Sequence, residues 1–277
     1  MSGKRDPSAP IGVFDSGLGG LTVVRALAAA LPQESLVYLG DTARVPYGTR
    51  SAGTVVRYAR GCGRLLARHG VKMLVVACNT VSAVALDVLR VELDMPVVGV
   101  IEPGARAAVR ASRTGRIGVL ATAGTVGSGA YPRAVNGLDS RAEVRQQAAP
   151  ILIPLAEEGW LDGDVPRLVA RRYLEALFAQ DPAMDTLVLG CTHYPLLAET
   201  LSQEADRVAG RSIAIVDSGV AAAAELVQLL GARDLCAPSG PGSLRLMVTD
   251  RPGRFPEVAA RFLGRDTDGL DVEQVDL

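Results

Sequence analysis

The sequence contains only two lysines, Lys4 and Lys72, among its 277 residues. Lys4 lies in a polar N-terminal stretch, and Lys72 begins an apolar run that ends at Cys78. An enzyme that uses pyridoxal phosphate needs a lysine inside its site to form the Schiff base. Because Lys72 is expected at the opposite end of its run from Cys78, we predict that the protein works without this cofactor.

The sequence also lacks the features of nucleic-acid-binding, membrane and disulfide-rich secreted proteins. The formal net charge is -1, which argues against nucleic-acid binding driven by phosphate neutralisation. The chain has no apolar run long enough to cross a bilayer, and its start, MSGKRDPSAP, lacks the apolar region of a signal peptide. The four cysteines are not spaced like a disulfide framework. We therefore expect a cytoplasmic protein with free thiols, a loose N-terminal tail, and no membrane or nucleic-acid partner.

The sequence does have a regular alternation of short aliphatic runs and longer amphipathic stretches. Hydrophobic residues make up 48% and aromatic residues only 4%, so the core should be aliphatic. The runs predict strands at 11–15, 36–41, 73–78, 97–101, 117–122, 187–191, 213–217 and 244–249, and the C-terminal LDVEQVDL predicts an edge strand. Helical periodicity predicts helices at 21–31, 54–69, 82–92, 166–179, 195–209 and 220–230. This order indicates βαβ units with parallel sheets.

Three segments of the first half recur in the same order in the second half. IGVFDSGLGG at residue 11 matches IGVLATAGTV at 117, VVACNT matches VLGCTH, and VVGVIEPGARAAV at 97 matches IAIVDSGVAAAAELV at 213. A repeat of this length indicates a duplicated domain. We predict a first domain comprising residues 1–104 and 215–277, and a second domain comprising residues 105–214.

Polar side chains follow the predicted strands, at the end where open parallel sheets bind ligands. They are Asp15, Ser16, Asp41, Cys78, Asn79, Thr80, Thr122, Thr125, Cys191, Thr192 and His193. Cys78 also precedes residues that commonly start a helix, and a helix N-terminus favours anions, including a thiolate or a substrate carboxylate. Taken alone, each cysteine could equally be an inert buried residue.

Considered as a pair, the two cysteines favour a reactive role over an inert one. Cys78 and Cys191 occupy matching positions in the repeat, so two facing domains would bring the thiols to opposite sides of one small ligand. Inverting a stereocentre requires a proton to leave one face of a carbon and return to the other, with one base for each face. Asp15 and His193 are natural partners that could hold or relay a proton.

Three other functions remain open at this point. DSGLGG after a strand is typical of a dinucleotide loop with Asp41 as the ribose acid, but Thr22 stands where the third glycine belongs. A metal site from Cys78, Cys191, His193 and Asp15 is chemically possible, although no standard zinc spacing is present, and we predict no metal. A two-domain protein that only binds a small molecule would need no reactive thiols.

The sequence resembles the cofactor-independent glutamate racemases of the aspartate/glutamate racemase superfamily. The motifs that carry the resemblance are GVFDSGLGGLTV, YLGDTARVPYG, ACNTVSA, GVLATAGTV, PLAEEG and GCTHYPLL, and they extend along nearly the whole chain. The resemblance implies two pseudo-symmetric flavodoxin-like domains with the active site between them. It also implies interconversion of L- and D-glutamate without a cofactor, D-glutamate supply for peptidoglycan, and a homodimer.

The resemblance assigns roles residue by residue. Cys78 and Cys191 correspond to the two acid/base thiols, which Asp15, His193 and Glu157 assist. The residues that match substrate-binding positions are Asp15, Ser16, Tyr47, Gly48, Asn79, Thr80, Thr122, Thr125, Thr192 and His193. Aspartate racemase is the nearest alternative, since the same fold and cysteine pair serve either substrate.

One position departs from the family pattern. Many relatives have Cys-Pro before the segment that contains Glu157, whereas this chain has AAP at 148–150. That position is not one of the proposed catalytic thiols, so the expected mechanism is unaffected. Some relatives carry an N-terminal extension linked to activation by a cell-wall precursor, and the ten-residue tail is too short to indicate the same here.

Overall fold

The structure is a computed structural model that describes residues 5–251, 253–267, 269 and 271–277. The strands of this part are β1 Ile11–Asp15, β2 Leu36–Gly40, β3 Met73–Val76, β4 Val97–Gly99, β5 Arg116–Ala121, β6 Glu143–Ala148, β7 Thr186–Gly190, β8 Ala214–Asp217, β9 Leu244–Val248 and β10 Asp271–Gln274. The helices are α1 Leu21–Ala30, α2 Ala52–Arg68, α3 Asn79–Val84, α4 Leu86–Glu92, α5 Ile101–Ala111, α6 Ala123–Ser128, α7 Ala130–Asn136, α8 Leu152–Glu158, α9 Asp164–Phe178, α10 Ala198–Ala209, α11 Ser218–Ala232 and α12 Phe255–Leu263. Short 3₁₀ turns lie at Thr42–Arg44 and Tyr194–Leu197.

The strands form two parallel sheets. The six-stranded sheet has the order β10-β9-β2-β1-β3-β4, and the four-stranded sheet has the order β6-β5-β7-β8. The order β2-β1-β3-β4 therefore recurs as β6-β5-β7-β8, with β1, β3 and β4 equivalent to β5, β7 and β8. This confirms the predicted α/β fold with two related parallel sheets. Below, the first half means the part built on the larger sheet, and the second half the part built on the smaller one.

The domain limits predicted from the sequence fall inside two elements. Residue 104 lies within α5, which packs on β7, β8 and α7 of the second half. Residue 214 begins β8, which pairs with β7 from Ala214 to Asp217. We therefore propose that the second domain runs from about residue 101 to Asp217, so that neither element is divided.

The central strands are buried because helices pack against the sheets, as parallel sheets require. Strands β1, β2, β3 and β7 are buried along their whole length, which explains why they read as unbroken aliphatic runs. The predicted C-terminal edge strand is confirmed, since β10 lies at the edge of the larger sheet. None of the described helices combines the length and apolarity needed to cross a bilayer.

Some elements do not follow the sequence pattern. The strand β6, EVRQQA, was missed because it is a half-buried edge strand and carries few apolar residues. The helix predicted at 82–92 is divided into α3 and α4 at Ala85, whose φ of -121° leaves the helical region. The helix predicted at 195–209 begins instead as the 3₁₀ turn Tyr194–Leu197.

Lys72 is fully buried and has a structural role at the start of β3. Its Nζ donates to Glu34 Oε2 at 2.5 Å, to the carbonyl oxygen of Pro7 at 2.6 Å and to that of Leu235 at 2.8 Å. The contact with Pro7 shows that the expected loose tail does not include this residue. Lys4 and the first three residues of the tail lie outside the described residues.

Candidate active site

A small pocket of about 70 Å³ lies where the carboxyl ends of the two sheets face each other. Both halves of the chain contribute to its wall. The residues that line it are Ser16, Gly17, Val45, Pro46, Tyr47, Gly48, Cys78, Asn79, Thr80, Thr122, Ile153, Glu157, Cys191, Thr192 and His193. The duplication therefore brings the ends of β3 and β7, with their two cysteines, to the same cavity.

Cys78 lies just beyond β3 and immediately precedes α3. Its side chain is 6% exposed, and its thiol donates to Ser16 Oγ at 3.3 Å. Burial, with a further contribution from the negative charge of Asp15, raises the pKa of Cys78 to about 12, although the hydrogen bond to Ser16 opposes this shift. Cys78 is therefore a protonated thiol at neutral pH.

Cys191 has a different environment, although it is 5% exposed and thus equally enclosed. Its Sγ lies 3.8 Å from Nδ1 of His193, and Nε2 of His193 lies 2.9 Å from Oε1 of Glu157. Burial lowers the pKa of His193, but the hydrogen bonds to Cys191 and Glu157 outweigh it and raise the pKa to about 10. At neutral pH an imidazolium therefore lies beside Cys191.

Asp15 ends β1 and lies directly behind the pocket wall. It is fully buried, and its Oδ2 accepts hydrogen bonds from the amides of Gly17 at 3.1 Å and Gly20 at 2.9 Å. Burial raises its pKa, while these amides and the nearby charge of His193 oppose the rise. Oδ1 has no hydrogen-bond partner among the described residues. The carboxyl thus organises the loop that presents Ser16 and Gly17 to the cavity.

The two halves meet at the rim of the pocket through a cluster of threonines. Thr80 Oγ1 of α3 lies 2.9 Å from Thr122 Oγ1 and 3.4 Å from Thr125 Oγ1, both in the second half. Thr122 also caps α6 by accepting from the amide of Thr125 at 3.2 Å. Thr80 and Thr122 line the cavity, whereas Thr125 lies behind them. Their hydroxyls hold the halves together beside the site.

The glycines of DSGLGG allow the same close approach. A Cβ added at Gly19 would lie 2.3 Å from Thr192 Oγ1 and 2.5 Å from His193 Nδ1. Such distances are far inside van der Waals contact, so only glycine fits between the two halves here. This contact explains the glycine-rich loop without a dinucleotide. Among the described residues, no group of three or more His, Cys, Asp or Glu side chains is placed to hold a metal ion.

Comparison of the sequence with known proteins identifies the family of the chain. The profile of the Asp/Glu/Hydantoin racemase family matches residues 12–226. The chain belongs to this family. It is 47% identical to a glutamate racemase of Geobacter metallireducens over 272 residues, which are 98% of both chains.

Solved structures of the family agree with the fold. The chain is 42% identical to glutamate racemase from Thermus thermophilus in complex with β-chloro-D-alanine, with a TM-score of 0.87 and coverage of 99% of both chains. It is 33% identical to glutamate racemase from Francisella tularensis in complex with D-glutamate, with a TM-score of 0.88 and coverage of 98% of both chains.

Most of the site residues predicted from the sequence line the pocket. The side chains of two of them, however, form hydrogen bonds with other protein groups. The hydroxyl of Tyr47 donates to Asp41, which also accepts from Thr249 Oγ1 at 2.8 Å. The amide of Asn79 contacts Tyr131 and Ser218 in the protein interior. These two residues can therefore offer a ligand mainly their backbone groups, and the proposed substrate contacts stay predictions.

Four lining residues were missed. Gly17 and Pro46 adjoin predicted site residues and Val45 lies two positions before Tyr47, so their position could have been inferred from the motifs. Ile153 begins the turn of α8 that leads to Glu157, and its apolar side chain carries no sequence signal for a binding site.

Proposed function

We propose that the protein is a glutamate racemase, which interconverts L- and D-glutamate by proton transfer at the α-carbon. The observation that carries the proposal is the pair of thiols, Cys78 and Cys191, which reach one enclosed pocket from equivalent strand ends of the two halves. Membership of the racemase family and the high identity to glutamate racemases support the choice of reaction and substrate.

The two thiols differ in a way that suits their task. Cys78 is protonated, so it is ready to donate a proton, whereas the imidazolium of His193 is placed to stabilise a thiolate at Cys191. In the proposed mechanism Cys191 removes the α-proton of L-glutamate, and Cys78 protonates the opposite face to give D-glutamate. The reverse reaction uses the opposite protonation states.

The remaining polar groups of the pocket stabilise the substrate and the carbanion that deprotonation creates. Hydrogen-bond donors near the carboxylates spread the negative charge, which lowers the barrier most when they are preorganised. We assign this binding to Ser16, to the backbone at Tyr47 and Gly48, and to the groups at Asn79, Thr80, Thr122 and Thr192. Glu157 acts through His193, and Asp15 through the loop that it organises and the charge that it places near Cys78.

The proposal includes the cellular role that the family resemblance implies. D-Glutamate made in the cytoplasm would supply peptidoglycan synthesis, and the protein would work as a homodimer without a cofactor. The dimer is tested by sedimentation at assay concentration, where a monomer alone would contradict it.

The activity is tested by racemisation of purified protein with L-glutamate and L-aspartate side by side. The protein is first dialysed extensively with a chelator, and the appearance of each D-amino acid is measured. We expect glutamate to racemise at the rate of the untreated protein and aspartate to react far more slowly. Faster aspartate turnover would make the protein an aspartate racemase, and recovery of activity only with pyridoxal phosphate or a metal would contradict the cofactor-free mechanism.

The assignment of one thiol to each face has its own test. Elimination of HCl from 3-chloroglutamate requires only one base, because the α-proton is removed and chloride leaves from the neighbouring carbon. Cys78→Ser should retain elimination with the L analogue and lose it with the D analogue, while Cys191→Ser should do the reverse. Equal loss of both activities in each variant would contradict the assignment.

A further inference from the structure

We propose that each reactive thiol is positioned by a hydroxyl group of the opposite half of the molecule. Thr22 of the first half holds the turn that carries Cys191, and Tyr131 of the second half holds the turn that carries Cys78. Neither residue lines the pocket, so both are positioning residues. The inference rests on the proposed racemase function.

Thr22 reaches across the molecule from α1. Its side chain is buried, and its Oγ1 lies 2.9 Å from the carbonyl oxygen of Gly19 and 2.9 Å from that of Thr192. The single hydroxyl proton is shared between these two acceptors, so one group links the DSGLGG loop to the residue next to Cys191. Thr22 occupies the position where a dinucleotide loop would have its third glycine, and this contact accounts for the difference.

Tyr131 makes the complementary contact from α7. It is fully buried, and its hydroxyl donates to Asn79 Oδ1 at 2.8 Å. The other side of the same amide donates to Ser218 Oγ at 3.4 Å, and Ser218 in turn donates to the carbonyl oxygen of Leu189 at 3.1 Å. The residue next to Cys78 is thus fixed by a chain of hydrogen bonds that ends on β7.

The crossed arrangement has a mechanical consequence. Each thiol belongs to one half but is held in register by the other, so both are in place only when the halves meet. Because an error of about 1 Å at a reacting group can cost on the order of a hundredfold in rate, the loss of one contact should slow proton transfer at one face of the substrate. General loss of stability would instead affect both faces equally.

The test compares Thr22→Val, Thr22→Ser and Tyr131→Phe in the elimination of HCl from the L and D forms of 3-chloroglutamate. The enamine product hydrolyses to 2-oxoglutarate and ammonium, and 2-oxoglutarate is measured. Thr22→Val should lower kcat about tenfold or more for the enantiomer that Cys191→Ser fails to process, with less than a twofold change for the other. Thr22→Ser keeps the hydroxyl and should restore the rate. Tyr131→Phe should show the opposite bias, following Cys78→Ser.

Thr200→Val is the matched control for Thr22→Val. Thr200 is exposed to the same extent, 5%, and its hydroxyl donates to the carbonyl of Leu161 within the second half. It should lower stability without favouring either enantiomer. An equal fall for both enantiomers in Thr22→Val and Tyr131→Phe would overturn the inference. Wild-type protein that eliminates chloride from neither analogue would instead contradict the proposed function itself.

Discussion

The imidazole Nε2 of His193 lies 2.9 Å from Oε1 of Glu157, while its Nδ1 faces the thiol of Cys191. Glu157 belongs to α8, and His193 follows β7, so the contact joins two residues that are 36 positions apart in the sequence. The hydrogen bond from His193 lowers the pKa of Glu157. Burial lowers the pKa of His193, but the hydrogen bonds to Cys191 and Glu157 outweigh it and raise that pKa to about 10. The carboxylate therefore keeps a positive charge beside one of the two thiols.

Glu157→Gln should change the pH dependence of the reaction. Because the amide removes the negative charge that favours the imidazolium, the pKa of His193 should fall from about 10 towards its ordinary value of 6.5. The hydrogen bond to Cys191 remains, so the alkaline limb of kcat for L-glutamate should move part of the way to lower pH, and kcat at pH 9 should fall severalfold. Glu158→Gln is the control, since Glu158 pairs with Arg254 instead. An alkaline limb that stays in place would contradict this role.

The same contact predicts a pH-dependent stability. The folded-state pKa of His193 lies above the unfolded value, so its contribution is complete below about pH 6.5 and is lost as the pH rises through about 10. Glu157→Gln should therefore be less stable than wild type at pH 6 in urea unfolding, and the difference should vanish above pH 10. A difference that is constant with pH would show that the pair does not titrate as described.

Gly19→Ala should disturb the meeting of the two halves. Its Cβ would lie 2.3 Å from Thr192 Oγ1, so the loop of Cys191 must shift. We expect kcat for racemisation to fall by about a hundredfold or more, in line with the cost of misplacing a reacting group. Gly61→Ala in α2 is the control, because nothing lies within 4 Å of the added Cβ. It should keep its activity and gain about 0.5–1 kcal/mol of stability.

The sequence predicted the parts of this molecule that depend on local pattern. Aliphatic runs located every buried strand, and the recurrence of ACNT and GCTH placed the two cysteines at equivalent strand ends. The polar strand β6 is not predicted from the sequence, because a strand at the edge of a sheet does not need apolar residues on both faces. No periodicity reveals that α5 packs on the second half, so the predicted domain limits divided α5 and β8.

The site shows the same division between local and long-range information. The family motifs located the residues around the pocket, but spacing cannot show where a side chain finds its partner. Asn79 is an example, because its amide is taken by Tyr131, 52 residues away, and by Ser218, 139 residues away. The different environments of the two thiols likewise depend on tertiary contacts, since both cysteines follow similar strands.

Lys72→Met should destabilise the protein without affecting catalysis. The change would leave the carboxylate of Glu34 buried without its cation, which typically costs about 3–5 kcal/mol. The comparison is Arg106→Met, which breaks a partly exposed pair with Glu225 and should cost about 1 kcal/mol or less. Urea unfolding gives both values. For the folded fraction of Lys72→Met, kcat should be unchanged, and loss of turnover would give this lysine a part in the chemistry.

The two catalytic thiols should differ in their reaction with iodoacetamide. The thiolate is the nucleophile, and Cys78, with a pKa of about 12, is almost entirely protonated at pH 7.5. Sγ of Cys191 instead lies 3.8 Å from Nδ1 of the His193 imidazolium. Because the two residues are 6% and 5% exposed, access does not distinguish them, and the raised pKa of Cys78 makes it the slower thiol.

The experiment uses a Cys236→Ser background, since Cys236 is exposed and would react first, whereas Cys62 is buried with a raised pKa. Peptide mass spectrometry should show Cys191 alkylated well before Cys78, with loss of racemisation following the modification of Cys191. Replacing His193 with Asn should slow Cys191 and bring the two rates closer, because the neighbouring positive charge is removed. If Cys78 reacts as fast as Cys191, burial does not hold Cys78 as a protonated thiol.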